Sequence, residues 1–243
     1  MIASLGMYDR AETAAANDAL WDRVRQNLGY GPAALDRSTA FWDIWQSPDL
    51  LLSQTCGMPY RTRLHGHVQL VGTPDYGLPD TAPGYYYSVL LARVGDDGDV
   101  PAYRNRTLAY NGATSQSGWA APQTHARGLG FRFERLFCSG GHRASAVAVI
   151  EGDADIAALD ALSWLMICEY EDLASKLMVI DKTAPTPGLP LITANSRDAG
   201  AILAAVRAAV GEIGAVHRKT LHLKDVVSIP AEAYLAVATP AAP

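Results

Sequence analysis

At 243 residues the chain has room for one large domain or two lobes of about 100 to 130 residues each. A hydrophobic content of 49% with 19% charged residues describes a folded globular protein, and a net charge of −5 leaves no broad basic surface for a nucleic-acid backbone. The odd set Cys56, Cys138 and Cys168 has no CxxC spacing, so it points to neither a disulfide framework nor a zinc site.

In chain order, residues 2–7 read as a short apolar strand, followed by Tyr8-Asp9 and a helix whose Leu20, Trp21, Val24 and Leu28 share one face. The loop between them lies at the carboxyl end of the strand, where open α/β sheets place ligands. Residues 40–45 read as a helical piece, and 50–54 as a buried strand ending at Thr55-Cys56-Gly57. A second helical piece follows over 58–64. Strands are predicted over 68–73 and 85–94, the second ending at the acidic glycine turn Gly95-Asp96-Asp97-Gly98, which reads as a lobe boundary.

Beyond that turn, strands over 106–110, 131–138, 154–159 and 177–181 alternate with helices over 117–128, 142–150 and 161–170, implying a second parallel α/β lobe. TAPTPGLPLITA reads as an extended crossing without regular structure. An amphipathic helix over 198–213 follows, with Ser196 as its cap, and the tail VATPAAP reads as frayed. The expected division is residues 1–94 with 188–243 as one lobe and 95–187 as the other. Two hinge crossings join them, and the ligand cleft lies between the lobes. Cys138 and Cys168, in apolar runs, read as small core residues.

The N-terminus, MIASLGMYDR, lacks a basic segment followed by an apolar core, so no secretory signal is read there. The most apolar window, 154–170, is interrupted by Asp155 and Asp160 and is too short to span a bilayer. Direct membrane insertion is therefore not expected.

The stretch YNGATSQSGWAAP, 110–122, concentrates small donors at a strand-to-helix junction. With Asn111 at the strand end and Ser115, Gln116 and Ser117 in the cap and first turn, unpaired backbone N–H groups, hydroxyls and the positive helix end together suit an anion. A plain serine cap is the alternative reading. A second Gly/Ser-rich helix start, Ser139-Gly140-Gly141-His142, carries a histidine that the dipole would keep neutral, either as a surface cap or as a ligand group. Asp160 follows a buried strand and must be paired, either as a helix cap or with something cationic or hydroxylated. In the first half, Tyr8, the turn holding Thr55 and Cys56, and Tyr86 in the run Tyr85-Tyr86-Tyr87 are the candidates. No GxSxG elbow, Walker loop, HExxH or dinucleotide fingerprint is present. Cys56 with His65 or His67 gives an alternative reading as a thiol nucleophile and base.

These segments, taken in order as LLLSQTCGMPYRTRL, VQLVGTPDY, YYYSVLLAR, LAYNGATSQSGW, SGGHRASAVAVIEGDADIAALDALSW and APTPGLPLITA, resemble the phosphate/phosphite/phosphonate substrate-binding components of ABC transporters. The resemblance implies a type II periplasmic binding protein fold with two α/β lobes, a small oxyanion ligand, no cofactor, and an ABC transporter membrane component as partner. It further implies that Ser115, Gln116 and Ser117 hold the oxyanion, that Tyr8 and Tyr86 line the opposite wall, and that His142 and Asp160 occupy matching positions. Asp160 in the pocket makes a ligand with an amine, such as an aminoalkylphosphonate, an expectation. The run reads Ser-Gln-Ser where Ser-Thr-Ser is common in phosphonate binders. The family implies a periplasmic location, whereas a native N-terminus without an export signal would imply a cytoplasmic relative. The competing expectation is an enzyme on the same fold using Cys56 or His142.

Overall fold

The computed structural model describes residues 1–96 and 98–243. Asp97, part of the acidic glycine turn, lies outside the described residues. Along the chain the strands are β1 (Ile2–Ser4), β2 (Leu50–Gln54), β3 (Val68–Asp75), β4 (Tyr85–Tyr86), β5 (Ser88–Arg93), β6 (Thr107–Tyr110), β7 (Arg135–Cys138), β8 (Ile156–Asp160), β9 (Leu177–Lys182), β10 (Thr186–Pro187), β11 (Leu191–Ala194) and β12 (Asp225–Val227). The chain forms two compact units, Met1–Tyr85 with Pro187–Ala236, and Tyr86–Thr186 with Val237–Pro243. Among the described residues no single helix is long and apolar enough to cross a membrane.

The first unit is built on a sheet of order β1-β2-β11-β3-β12, with β1 parallel to β2 and β11 antiparallel to both β2 and β3. Helices cover both faces. Leu20, Trp21 and Val24 of the helix Ala14–Leu28 join Ile202, Val206 and Ala209 of the helix Ala199–Glu212 against Leu51 and Val71. Ile44, Trp45, Tyr60, Leu64 and Tyr234 pack with Leu50 and Ile192 on the other side. Burial on both faces explains why β2 reads LLLSQ without polar alternation, and every one of its residues is buried. Each large side chain removed from water in these layers contributes roughly 1.5–3 kcal/mol.

The second unit has a sheet of order β7-β6-β8-β5-β9. Strands β6, β7 and β8 are mutually parallel, so their carboxyl ends share one edge. Asn111 and Ser139 follow two of those ends and Asp160 closes the third. Ser88 pairs in register with Asp160, bringing the start of antiparallel β5 to the same edge. Leu90, Leu108, Phe133, Ile156 and Ala158 fill one face beneath Ala126.

Several expectations change. The second sheet is mixed, because β5 runs antiparallel to β8 and β9. The chain passes between units at Tyr85/Tyr86, ahead of the acidic glycine turn, so the strand Ser88–Arg93 belongs to the second sheet. The Pro-rich crossing contains a regular element, since the apolar LITA segment becomes β11 in the middle of the first sheet. The helix Ala199–Glu212 is capped by Asp198, whose carboxylate accepts from the Ala201 N–H, in place of Ser196. The tail is fastened: Trp119 Nε1 donates to the Ala241 carbonyl at 3.1 Å, and this third passage returns the chain to the second unit. Cys138 and Cys168 are exposed and only Cys56 is buried, because apolar neighbours in a sequence do not fix which face a residue occupies.

Candidate ligand site

In the second unit, the segment after β6 turns at Gly112, where the carbonyl accepts from the Ser115 N–H at 3.1 Å. Ser115 then caps the next helix, its hydroxyl accepting from the Gly118 N–H at 3.0 Å. The first turn, Gln116–Ala120, is π-helical, with the Ala120 N–H donating to the Ser115 carbonyl at 3.0 Å before the α-helix Ala121–Gly128 continues it. This wider turn postpones the first intrahelical bond, so the N–H groups ahead of Ala120 lie at the helix start, where oriented donors suit an anion. Gly118 makes room there: a Cβ at this position would run into Asn111 Oδ1, so the amide would have to move.

Two further elements meet at Ser117. Its carbonyl accepts from the Ser88 hydroxyl at 2.9 Å, and its own hydroxyl lies 2.9 Å from His142 Nε2. That ring nitrogen also lies 3.3 Å from Asp160 Oδ2 and 3.4 Å from Asn111 Nδ2. Burial holds His142 below the ordinary histidine range, against an upward pull from the Asp160 charge and the Ala158 carbonyl. Burial, the largest cause, thus favours the neutral imidazole.

Asp160 itself caps the helix Ala161–Tyr170. Oδ1 accepts from the Ser163 N–H at 2.9 Å and Oδ2 from the Ser163 hydroxyl at 2.5 Å. Asp160 is thus a helix cap, the plainer of the two sequence alternatives, and its remaining neighbour is the histidine ring. The second serine cluster is committed internally, with the Ser139 and Ser145 hydroxyls 2.6 Å apart. Tyr86, 3% exposed, opens this unit two residues before Ser88.

In the first unit, Tyr8 is buried in the turn Gly6–Tyr8. Its carbonyl accepts from the Thr13 hydroxyl at 2.7 Å, and its ring meets Tyr76 edge-on at 5.4 Å. Gln54 Nε2 donates to the Tyr76 hydroxyl at 3.1 Å, which links Tyr8 to the end of β2 through a residue that sequence reading did not single out. Thr55 is fully buried, its N–H donating to the Pro190 carbonyl at 3.0 Å. Cys56 is buried and its carbonyl accepts from the Tyr60 N–H at 3.2 Å. Tyr76 follows the Pro-Asp end of β3, and its only advance signal was an aromatic inside a Gly- and Pro-rich loop. Among the described residues no group of three or more His, Cys, Asp or Glu is placed to hold a metal.

The family model described as "ABC transporter, phosphonate, periplasmic substrate-binding protein" matches residues 52–225, most of the chain. The chain belongs to this family. As a phosphonate-type substrate-binding protein it is a solute-binding component that works with an ABC transporter, and the family is one of periplasmic proteins. Its fold is that of solved relatives. PhnD1 from Prochlorococcus marinus, in complex with methylphosphonate, superposes with a TM-score of 0.75 at 12% identity over 96% of this chain and 93% of that one. A binding component of an ABC phosphonate transporter from Pseudomonas aeruginosa gives 0.72 at 17% identity over 94% and 81%. XAC2383 from Xanthomonas citri, bound to ATP, gives 0.63 at 14% identity, covering 90% of each chain. No curated protein matches the sequence.

Proposed function

We propose that this substrate-binding protein captures a small oxyanion, a phosphonate or phosphate ester, without transforming it, and that the Ser115–Ser117 turn is the pole that receives the anionic oxygens. The observation that carries this reading is the π-helical start capped by Ser115, with Gly118 leaving the backbone bare beside Asn111. Oriented donors at a helix start suit an anion, each contact being worth about 0.3–1 kcal/mol when exposed and more when desolvated. Tyr8, Thr55 and Cys56 are proposed as first-unit contributors to solute recognition, and Tyr86 as a contributor from the second unit.

The donors around Ser117 are neutral and Asp160 adds a negative charge. Its two oxygens already face Ser163 and His142. An ammonium group would find this carboxylate committed, so a simple oxyanion suits the arrangement better than an aminoalkylphosphonate.

Ser117, His142 and Asp160 carry the residue types of a hydrolytic triad, yet their geometry supports binding over catalysis. In a relay the carboxylate and the nucleophile sit on opposite ring nitrogens. Here Ser117 Oγ and Asp160 Oδ2 both face Nε2. The test is isothermal calorimetry and thermal shift with phosphate, phosphite, methylphosphonate and alkyl sulfonates. Binding that disappears in Ser115→Ala and Ser117→Ala, with no turnover of phosphate esters, is the expected result. Turnover abolished by Cys56→Ala or His142→Ala would replace this reading with the enzymatic one.

A further inference from the structure

We propose that Asp160 is a positioning residue: acting through His142, it keeps the proton on the imidazole Nε2 and so leaves the Ser117 hydroxyl free to donate its own hydrogen to the bound oxyanion. The inference rests on the oxyanion reading for what Ser117 binds, and on side-chain geometry alone for where the proton sits.

A serine hydroxyl has one hydrogen to give. Beside a bare Nε2 at 2.9 Å, Ser117 would spend that hydrogen on the imidazole and face the ligand with lone pairs only. Beside a protonated Nε2 it accepts from the ring, and its hydrogen is available elsewhere. The tautomer therefore decides whether this residue attracts or repels an anion.

Two neighbours of Nε2 compete to set that tautomer. The Asp160 carboxylate, 3.3 Å away, is an acceptor only and needs a proton on the ring. Asn111 Nδ2, 3.4 Å away, would favour a bare nitrogen. The carboxylate acts on the ring through its charge and not through a well-formed hydrogen bond, and that charge favours a proton on the nitrogen it faces over the weak neutral contact from Asn111. The Asn111 amide can present either end to the ring. Its Oδ1, buried without a hydrogen-bond partner among the described residues, is the atom a protonated Nε2 selects. The Ala158 carbonyl, which also favours a proton on the ring, is the competing acceptor, but Nδ1 makes no hydrogen bond with it or with any other group among the described residues. Were the ring to become cationic, Nε2 would still carry its proton, so the placement holds in either charge state.

Asp160→Asn tests the effect. Asparagine caps helices about as well as aspartate, so the Ser163 N–H keeps its acceptor, while the Ser163 hydroxyl loses Oδ2 and can turn to accept from the new amide. The same amide would offer an N–H to Nε2, moving the ring proton to Nδ1 and drawing the Ser117 hydrogen inward. In 15N-histidine-labelled protein, with His142 assigned by its disappearance in His142→Gln, the unliganded wild type should show a protonated Nε2 and Asp160→Asn a bare one. Methylphosphonate affinity should fall about tenfold or more in Asp160→Asn, with little change in Tm.

A bare Nε2 in the wild type, or an Asp160→Asn protein that binds methylphosphonate as well as the wild type does, overturns the proposal. If neither methylphosphonate nor inorganic phosphate binds the wild type, or Ser117→Ala binds them undiminished, the oxyanion reading fails. The imidazole spectrum then still decides where the proton sits. Should Asp160→Asn fail to fold, the wild-type spectrum alone assigns the tautomer, and a bare Nε2 there overturns the proposal as before.

Discussion

Gly118 and Asn111 are matched in shape: the Asn111 side-chain amide occupies the space that a β-carbon at position 118 would need. Gly118→Ala should therefore displace the Asn111 amide or the helix start, costing about 1–3 kcal/mol. Methylphosphonate binding should be lost with it, because the donors of the turn would shift. Thermal melts and calorimetry check this, and a Gly118→Ala protein with wild-type Tm and affinity would contradict the close approach.

Trp119 is fully buried and its indole N–H holds the Ala241 carbonyl. Trp119→Phe keeps most of the ring and removes the donor, with an expected loss of about 0.5–1.5 kcal/mol. Deleting residues 237–243 should cost at least as much and should leave Trp119→Phe with no further effect in the shortened chain. Additive losses in a denaturant titration of the four proteins would show that the tail contributes by another route.

His142 sets part of the acid limb of stability. Its folded-state pKa lies below the ordinary 6.5, with burial as the largest cause. The unfolded chain then binds the proton more readily, so stability falls as pH drops through about 6.5 toward the folded value, by at most about 1.4 kcal/mol per pH unit for one group. Asp160 and the Ala158 carbonyl moderate that loss, since both favour the protonated ring. Melting curves taken from about pH 7 down to about pH 5 should have a shallower acid limb in His142→Gln than in the wild type. Parallel limbs would assign the effect to other groups.

The three thiols should separate by access. Cys138 and Cys168 are exposed and Cys56 is buried. A thiol reagent applied to the native protein should modify two sites quickly and the third only on unfolding, as peptide mass mapping would show. Rapid labelling of Cys56 would place its side chain at the surface.

Much of this architecture is written locally in the chain. β2 is legible because LLLSQ is apolar on both faces, and the helix Ala14–Leu28 because Leu20, Trp21 and Val24 fall on one stripe. The serine turn announces itself through Ser115, whose hydroxyl, three residues ahead of the Gly118 N–H, forms the cap that spacing predicts. What sequence reading misses depends on contacts between distant residues. Nothing near LITA says that it will enter a sheet between β2 and β3, and nothing near Asp225 marks β12, since both are short and gain their order from β3. Tyr76 acquires meaning only beside Tyr8 and Gln54. The convergence of Ser117, Asn111 and Asp160 on one ring nitrogen follows from the common edge of β6, β7 and β8, which no local pattern encodes.

The placement of β11 has a consequence for biosynthesis. Because this strand sits between β2 and β3, the first sheet remains open along its middle until the ribosome has delivered Leu191–Ala194, well after β3 has emerged. The sheet of the intervening segment, β5 through β9, is by then already out of the exit tunnel and can close on local pairings. Vectorial synthesis thus favours pairing the strands of the inserted sheet first, with the Val237–Pro243 segment of that unit added last, and leaves β2 and β3 as unsatisfied edges for which a holding chaperone has a use during that interval.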